Sequence, residues 1–378
     1  VLKVYYARNS YEVSYDYGAA PTGASQLPGT ASYKYGAEVR VADKATAPGY
    51  TFDGWKKDNA EVTSFTMPAG AVQLTGRFTA NTDTGYKVEH YQQNLAGDAF
   101  VLFETEEQNA TTDTHVSATP KDYTGFTYDG TVDGTVTEGN VAGDGSLVLK
   151  LYYTRDSYKV TYQYTGKVPT GASELPAETT EKYGAAVTVA ADATAPGYTF
   201  SGWSREDGFT MPAENVTITG SFTANSNTEY TVRHHFQNIL DDAYDADTAM
   251  LSETLSGTTD TLTAAAAKTV AGFTAQSFQQ KNIAGDGSTV VDIYYNRNSY
   301  TVTYAVTGTV DPNPNYKQAD YRFGQNVAAE AAAAKAGYDF IGWANEPAVM
   351  PANDVTATGY FVARTDTAYQ VQHYKQNL

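Results

Sequence analysis

The feature that most constrains this chain is a long internal repeat. Along 378 residues, three phrases recur in a fixed order, and the second phrase contains all three tryptophans. The phrases are YYARNSYEV at 5–13 with copies at 152–160 and 294–302, TAPGYTFDGW at 46–55 with copies at 194–203 and 334–343, and YKVEHYQQNL at 86–95 with copies at 230–239 and 369–378. A period of about 140 residues is too long for a solenoid repeat and fits a pair of small domains.

We therefore divide the chain into A modules, which contain tryptophan, and B modules, which contain a Gly-Asp-Gly-Ser turn. Each is about 70 residues long, near the lower size at which one hydrophobic core suffices without staples. The predicted boundaries are 1–9 for the last strand of a B module, 10–80, 156–224 and 298–363 for A modules, 81–155 and 225–297 for B modules, and 364–378 for the start of a further B module.

Alternation of apolar and polar residues inside the modules predicts β-sheets. In residues 11–17, Tyr and Val alternate with polar residues, as in a strand with one buried face. Residues 147–153 alternate in the same way. The best helix candidate is the Ala-rich segment 328–337, which combines strong helix formers with a glycine stop. We expect a mostly β, α+β fold in which each module has a small mixed sheet and one short helix.

Composition excludes several classes of protein. A net charge of −18 argues against binding to nucleic acid or to anionic membranes, which require basic surfaces. The absence of Cys excludes disulfides, thiol chemistry and Cys-ligated zinc. No apolar run approaches the roughly 18–20 residues of a membrane span. Because the chain starts with the strand-like VLKVYY, we expect a segment of a longer polypeptide whose targeting signals lie elsewhere.

The linkers between modules are short. The peptides ARNS, TRDS and NRNS join each B module to the next A module, and about six residues, such as TANTDT, join A to B. Short, repeated linkers limit bending, so we expect the modules to form an elongated rod.

Both module types resemble known families. GYTFDGW at 49–55, followed by FTMPAGAVQLTGRF at 65–78, resembles the Listeria–Bacteroides repeat. YKVEHY at 86–91, together with residues 125–153, resembles the mucin-binding-protein (MucBP) repeat. The resemblance implies β-grasp-like or ubiquitin-like modules in extracellular adhesins anchored to the cell wall of Gram-positive bacteria. The third A module departs from the pattern, because AVMP at 348–351 replaces FTMP.

The recurring Trp and His residues are candidates for binding sites or for module cores. Trp55, Trp203 and Trp343 are interpreted as core residues rather than sugar-stacking platforms, since each small module needs its own apolar centre. His90, His234 and His373 occupy equivalent strand positions. A metal site would need several converging ligands, and no carboxylate recurs at a fixed offset, so these histidines are also interpreted as core residues.

A Tyr–Arg pair recurs immediately before each A module. The pairs are Tyr5 with Arg8, Tyr152 with Arg155, and Tyr294 with Arg297. We predict that the Tyr ring and the Arg head pack against the following A module and stiffen the joint. The alternative is that Tyr is exposed to solvent and Arg is unpaired.

These observations favour a structural function. We expect a stalk that projects an adhesive tip domain from the cell wall, monomeric within a longer chain. The alternative is that the B modules bind mucin or another host glycan through outward Tyr residues such as Tyr91. No catalytic motif is present, so we expect no enzyme activity and no cofactor. The AGDGS turns are interpreted as hairpins rather than calcium sites, which need six to eight oxygen ligands.

Overall fold

A computed structural model describes residues 1–244, 251–307 and 315–377. These residues contain 29 β-strands and no helix. The chain divides into two compact units, which we describe separately. The first consists of Val1–Tyr162, Pro176–Ala190 and Arg205–Ile218, and the second of Gln163–Leu175, Ala191–Ser204 and Thr219–Leu378.

The first A module, in the first unit, has one main sheet and two short strand pairs. Its strands are β1 (Ser10–Asp16), β2 (Ala31–Lys34), β3 (Glu38–Arg40), β4 (Tyr50–Phe52), β5 (Lys56–Lys57), β6 (Ala60–Glu61), β7 (Ser64–Thr66), β8 (Val72–Thr75) and β9 (Phe78–Ala80). The main sheet has the order β2-β1-β8-β5-β6, and the pairs are β3–β7 and β4–β9. Strand β1 is antiparallel to β2 and parallel to β8, with Val13 opposite Ala31 and Val72.

The first B module, also in the first unit, has a four-stranded sheet. Its strands are β10 (Thr84–Gln93), β11 (Phe100–Ala110), β12 (His115–Ser117), β13 (Phe126–Tyr128), β14 (Glu138–Asn140) and β15 (Val148–Arg155). The sheet order is β11-β10-β15-β13, and β12 pairs with β14. The first and last strands of the module, β10 and β15, are parallel neighbours.

The second A module contributes strands to both units. They are β16 (Ser157–Thr165), β17 (Thr179–Lys182), β18 (Ala186–Val187), β19 (Tyr198–Phe200), β20 (Phe209–Thr210) and β21 (Val216–Ala224). In the first unit, β16 is antiparallel to β17, and β18 to β20. In the second unit, β19 is antiparallel to β21.

The rest of the second unit contains the second B module and the third A module. Their strands are β22 (Thr228–Phe236), β23 (Leu251–Gly257), β24 (Phe273–Ala275) and β25 (Val290–Arg297), then β26 (Ser299–Thr307), β27 (Asn315–Arg322), β28 (Tyr338–Ala344) and β29 (Val355–Ala363). The sheet orders are β23-β22-β25-β24 and β27-β26-β29-β28. Again the first and last strands of each module are parallel neighbours.

Four modules have their own cluster of buried apolar side chains. Each cluster is built from alternate residues of the central parallel strands, because the side chains of a strand point to opposite faces in turn. The central members are Val13 and Leu74, Val88 and Leu149, Val232 and Ile293, and Val302 and Ala357.

The expected helix at 328–337 is wrong. Residues 328–335 form no regular secondary structure, and a turn follows at Ala336 and Gly337. The carbonyl of Ala331 accepts a hydrogen bond from the indole Nε1 of Trp343 at 3.1 Å, so tertiary contact overrides the helix propensity of the alanines. The described residues are therefore all-β, and neither the α+β label nor the β-grasp assignment is supported.

The two terminal segments differ from the expectation that both are strands. Residues 1–9 and 364–377 are exposed and contain no strand. Their counterparts β15, β25, β10 and β22 are strands that pair with one another inside complete B modules. A β-strand needs such a partner for its backbone groups.

No helix capable of crossing a membrane occurs in the described parts of the chain.

Candidate functional site

The candidate functional residues lie in the module cores and at the junctions between consecutive modules. The first unit contains the junctions of the first B module with the A modules on either side, and the second unit contains the equivalent junctions of the second B module. Within the described residues, no group of His, Asp and Glu side chains could hold a metal ion.

Each tryptophan side chain donates a hydrogen bond to a backbone carbonyl in a loop 12 residues earlier in the sequence. Trp55 is 2% exposed and stacks on Tyr17 with ring centroids 5.4 Å apart. Its Nε1 donates to the carbonyl of Asp43 at 3.1 Å, while Trp203 and Trp343 donate to Ala191 and Ala331 at 3.0 and 3.1 Å. Trp203 and Trp343 are half-buried. The indole therefore fixes the loop in every A module.

Two of the three equivalent histidines lie in the centre of a B module. His90 and His234 are both 0% exposed. In the second B module, His234 Nδ1 lies 2.8 Å from the hydroxyl of Tyr295, and Nε2 lies 3.1 Å from Glu253. His90 is placed similarly, with Nδ1 at 3.0 Å from Tyr153 Oη, but its Nε2, 3.3 Å from Glu106, makes no hydrogen bond with any described residue.

His234 lies between a tyrosine hydroxyl and a glutamate carboxylate. The hydroxyl oxygen of Tyr295 accepts the backbone N–H of Lys268 at 2.8 Å, so its own proton can be donated to Nδ1. On the other side of the ring, His234 Nε2 lies 3.1 Å from Glu253. Lys268 pairs with the same carboxylate at 2.9 Å, and these contacts lower the pKa of Glu253, with the Lys268 hydrogen bond as the larger cause.

His373 does not lie in a core. Its whole segment is exposed and contains no strand, so the interpretation as a core residue is wrong for this position. His90 and His234 are enclosed by the strands β15 and β25, which pair with their own strands. Residues 369–377 have no such strand beside them.

Arg155 and Arg297 connect each B module to the following A module. Arg155 donates from Nε to the carbonyl of Gln93 at 3.2 Å and from Nη1 to the carbonyl of Tyr183 at 2.9 Å. Arg297 makes the same contacts with Gln237 at 3.0 Å and Phe323 at 2.8 Å. We name this contact the arginine junction.

Aromatic rings surround the guanidinium at each arginine junction. The Arg155 head lies 4.6 Å from the ring centre of Phe126, which contacts Tyr183 of the next module edge-on at 5.9 Å. In the second copy, Arg297 lies 4.6 Å from Phe273, and Phe273 contacts Phe323 at 5.7 Å. Burial lowers the pKa of Arg297, and nearby Arg322 adds to that shift.

Arg8 makes the corresponding contact with the first A module. Its Nη1 lies 3.3 Å from the carbonyl of Tyr35, the residue equivalent to Tyr183 and Phe323. All three arginines of the predicted pairs thus donate to the same carbonyl position.

The tyrosines of the predicted pairs do not lie where the prediction put them. Tyr152 stacks on Tyr91 of its own B module with centroids 5.0 Å apart, and Phe100 contacts its edge at 5.2 Å. Tyr294 stacks on His235 at 4.8 Å and contacts Tyr244 at 5.1 Å. Both rings lie on the solvent-facing side of the sheet, where cross-strand neighbours are close enough to pair. Tyr5 is exposed.

The A-to-B junction was not identified from the sequence. Its centre is a contact between two glycines, and a Cβ added to Gly143 would lie 2.1 Å from the carbonyl oxygen of Pro48. A Cβ on Gly49, at φ 75°, would lie 2.5 Å from the Gly143 Cα. Gly197 and Gly285 repeat this contact at 2.4 Å in the second copy. We name it the glycine junction.

A buried pair of threonine hydroxyls completes each glycine junction. Thr112 Oγ1 donates to the carbonyl of Gly49 at 2.8 Å and lies 2.7 Å from Thr84 Oγ1. Thr259 and Thr228 do the same at Gly197, with equal distances. The recurring APGY and AGDG phrases are the sequence signal that could have revealed this junction.

A cleft opens beside each glycine junction. The first has a volume of about 370 Å³ and the second about 520 Å³. Asp113 in the first and Asp260 in the second each accept a hydrogen bond from a tyrosine hydroxyl of the preceding A module, that of Tyr50 and Tyr198 respectively. This hydrogen bond is the main cause of the raised pKa of both tyrosines.

Comparison with known families identifies the A modules as repeat domains. The family of the divergent InlB B-repeat domain matches residues 15–82 and 158–226, and the Listeria–Bacteroides repeat domain matches residues 300–366. Both are repeat domains typical of bacterial surface proteins. The resemblance to the Listeria–Bacteroides repeat is thereby confirmed for the third A module, while that of the B modules to the MucBP repeat stays a prediction.

Two solved structures show a weak likeness. One contains the Streptococcal High Identity Repeats in Tandem (SHIRT) domains 3-4 from a cell surface protein, with 14% identity, a TM-score of 0.17, and coverage of 39% of this chain and 98% of that chain. The other is the Bacillus anthracis TIE protein, with 8% identity, a TM-score of 0.21, and coverage of 93% and 68%. At these scores the likeness carries no weight for function. No curated protein matches the chain significantly.

Proposed function

We propose that this chain is part of the stalk of a bacterial surface protein, in which paired A and B modules act as spacers. The observation that carries the proposal is the repetition of both junctions. The arginine junction recurs at Arg155 and Arg297, and the glycine junction at Gly143 and Gly285. In each case the partners are at equivalent positions of successive repeats. A contact repeated at every joint gives successive joints the same geometry.

The proposed mechanism is geometric. The glycine junction joins two modules through direct contact of their backbones, and the arginine junction joins them through one side chain held by backbone carbonyls of both modules. Two such junctions per repeat restrict bending, so that the number of repeats determines how far a distal domain extends. The acidic surface, with a net charge of −18, opposes lateral association between neighbouring stalks.

The proposed location is outside the cell, at the Gram-positive cell wall. The support is the match of three A modules to repeat domains typical of bacterial surface proteins. On this proposal the protein has no catalytic function and its adhesive activity belongs to another part of the polypeptide.

Small-angle scattering of the full 378-residue chain tests the stalk proposal. We expect a maximum dimension that fits modules joined end to end, and a distance distribution that broadens in the double variant Arg155→Ala, Arg297→Ala. The matched control is Arg205→Ala, which removes an Arg–Phe contact inside one A module. A globular scattering profile of the unmodified chain would overturn the proposal.

A second candidate function is glycan binding by the B modules. It is favoured by the aromatic clusters of Tyr91, Tyr152 and Phe100, and of His235, Tyr294 and Tyr244, on the solvent-facing side of each B sheet. Half-exposed rings beside polar side chains suit the apolar faces of sugars. A glycan array probed with the full chain tests this function. Saturable binding that is lost in Tyr91→Ala would support it, and the absence of binding to any glycan would reject it.

A further inference from the structure

The two clefts beside the glycine junctions are built from equivalent residues. Each is lined by a Pro and a Tyr of the A module, a Thr-Gly pair, and the Asn-to-Asp segment that precedes the last B strand. An aspartate in each cleft has a positive φ, 66° at Asp113 and 65° at Asp260. Its N–H donates to Val141 or Ile283 at 2.9 Å, so the carboxylate is presented by a fixed backbone.

The second cleft contains a cation supplied by the chain itself. The ammonium of Lys167 pairs with Asp260, which also accepts the hydroxyl of Tyr198. Lys167 stands two residues before the Pro-Thr-Gly-Ala-Ser phrase at 169–173, and Ala19 has that place before the same phrase at 21–25.

The first cleft has the equivalent aspartate and tyrosine but no equivalent of Lys167 in its described lining. Asp113 accepts the hydroxyl of Tyr50, and Asp144 lines the same cleft. Among the described residues, neither carboxylate forms an ion pair with a lysine or arginine. The first cleft therefore carries one more net negative charge than the second, whose equivalent carboxylates, Asp260 and Asp286, are accompanied by Lys167.

We propose that the cleft lined by Tyr50, Asp113 and Asp144 is a binding site for a primary ammonium group. Lys167 is the internal counterpart of this ligand, because it places the same chemical group on the equivalent aspartate. The ammonium pairs with Asp113, and its alkyl chain lies along Pro48 and the Tyr50 ring at the wall of the cleft. This inference goes beyond the stalk function and does not depend on it.

Two sources can supply such a group: a lysine side chain of a partner protein, or a free diamine. Nα-acetyl-lysine amide represents the first source and 1,5-diaminopentane the second. A diamine that binds more tightly than the lysine derivative engages Asp144 with its second ammonium. Equal affinities indicate that Asp113 alone is recognised and that a protein lysine suffices.

The experiment is a titration of the isotope-labelled full chain with each amine, followed by amide chemical shifts in transverse-relaxation-optimised NMR spectra. We expect a dissociation constant on the order of 1–10 mM at low salt, since exposed ion pairs are weak and screened. Saturable shifts should cluster around Asp113 and Gly143 and be absent around Asp260.

Three variants make the result decisive. Asp113→Asn should weaken binding by up to about fivefold, and Ala19→Lys should fill the cleft from within and block it. Lys167→Ala should create a second saturable site around Asp260. The Lys167→Ala result does not depend on any change to the first cleft, so a misfolded Asp113→Asn variant cannot decide the test. Linear, unsaturable shifts over the whole acidic surface in every variant, or no gain in Lys167→Ala, would overturn the proposal.

Discussion

The arginine junction and the glycine junction join a B module to its two neighbouring A modules by opposite means. At the arginine junction, one long side chain reaches across and is held by carbonyls and aromatic rings of both modules. At the glycine junction, two backbone segments touch directly, with no room for a Cβ. A side-chain contact tolerates small movements of either module, whereas a backbone contact in van der Waals range does not. The two ends of a B module therefore differ in how strictly the neighbour is positioned.

The largest expected effect comes from filling the glycine junction. Gly143→Ala places a methyl group 2.1 Å from the Pro48 carbonyl, so one of the two backbones must move. We expect a loss of roughly 3 kcal/mol at this junction, the upper range for overpacking. Hydrogen exchange of the Asn81 amide, which donates to Gly49 at 2.9 Å, measures it as about 100-fold lower protection.

Gly70→Ala is the matched control for this change. A Cβ at Gly70 meets nothing within 4 Å, so exchange at Asn81 should stay as in the unmodified chain. Equal protection of the Asn81 amide in Gly143→Ala and Gly70→Ala would contradict the claim that the glycine junction has no room for a Cβ.

The next effect in size is the loss of the arginine side chain. Arg155→Ala removes the donors to Gln93 and Tyr183 and the contact with Phe126, and we expect a loss of about 2 kcal/mol. The readout is exchange of the Tyr183 amide, which donates to Asp156 at 2.9 Å.

Protection of Asn81, at the glycine junction, should remain unchanged in Arg155→Ala. Arg205→Ala serves as the control, because its Arg–Phe contact lies inside one A module. If Arg205→Ala lowered protection at Tyr183 as much as Arg155→Ala does, the loss would not be specific to the junction.

A smaller effect is expected when the hydroxyl at the glycine junction is removed. Thr112→Val keeps the shape of the side chain but leaves the carbonyl of Gly49 and the buried hydroxyl of Thr84 without this partner. The expected cost is about 1 kcal/mol, measured as roughly fivefold faster exchange at Asn81. Thr114→Val, which removes a hydroxyl bonded within an exposed turn, should have little effect there. A slower exchange in Thr112→Val would be incompatible with the assigned role.

The smallest effect concerns pH and distinguishes the two glycine junctions. Lys167, and secondarily Tyr198, hold the pKa of Asp260 below its ordinary value of 3.8. Because the pKa in the folded state is lowered, this contribution to stability is present above the ordinary value and is lost as the pH falls through the folded pKa.

The Asn225 amide donates to the carbonyl of Gly197 at 2.9 Å and reports on the second glycine junction. Its exchange, corrected for intrinsic rates, should therefore show a slight loss of protection in acid. Lys167→Ala should reduce that pH dependence. An unchanged pH profile in Lys167→Ala would show that this exposed ion pair does not act on the junction.

The repeat itself made much of the fold predictable. The alternation in residues 11–17 and 147–153 correctly indicated strands, because a period of two is a local property of the sequence. The Ala-rich segment misled for the opposite reason: its conformation is fixed by the indole of Trp343, which local propensity does not include. The conformation of such loops depends on contacts with residues that are distant in the sequence.

The junctions were predictable in part. Arg155 stood out because it recurs beside a linker, but its partners Gln93 and Tyr183 lie 62 and 28 residues away in sequence. Tyr152 was misplaced because its partner in the sheet, Tyr91, is set by the parallel pairing of β10 and β15. Gly49 and Gly143 carry no side chain at all, so their contact has no chemical signal beyond the repetition of the phrases around them.

The parallel pairing of first and last strands has a mechanical consequence. In the B modules and in the third A module, the chain enters along one central strand and leaves along its parallel neighbour, at the opposite end of the sheet. Tension applied to the two ends of such a module loads the hydrogen bonds between these strands in shear, all at once, instead of unzipping them one after another. Rupture then requires breaking the whole ladder together, so each module resists a pull along its own length.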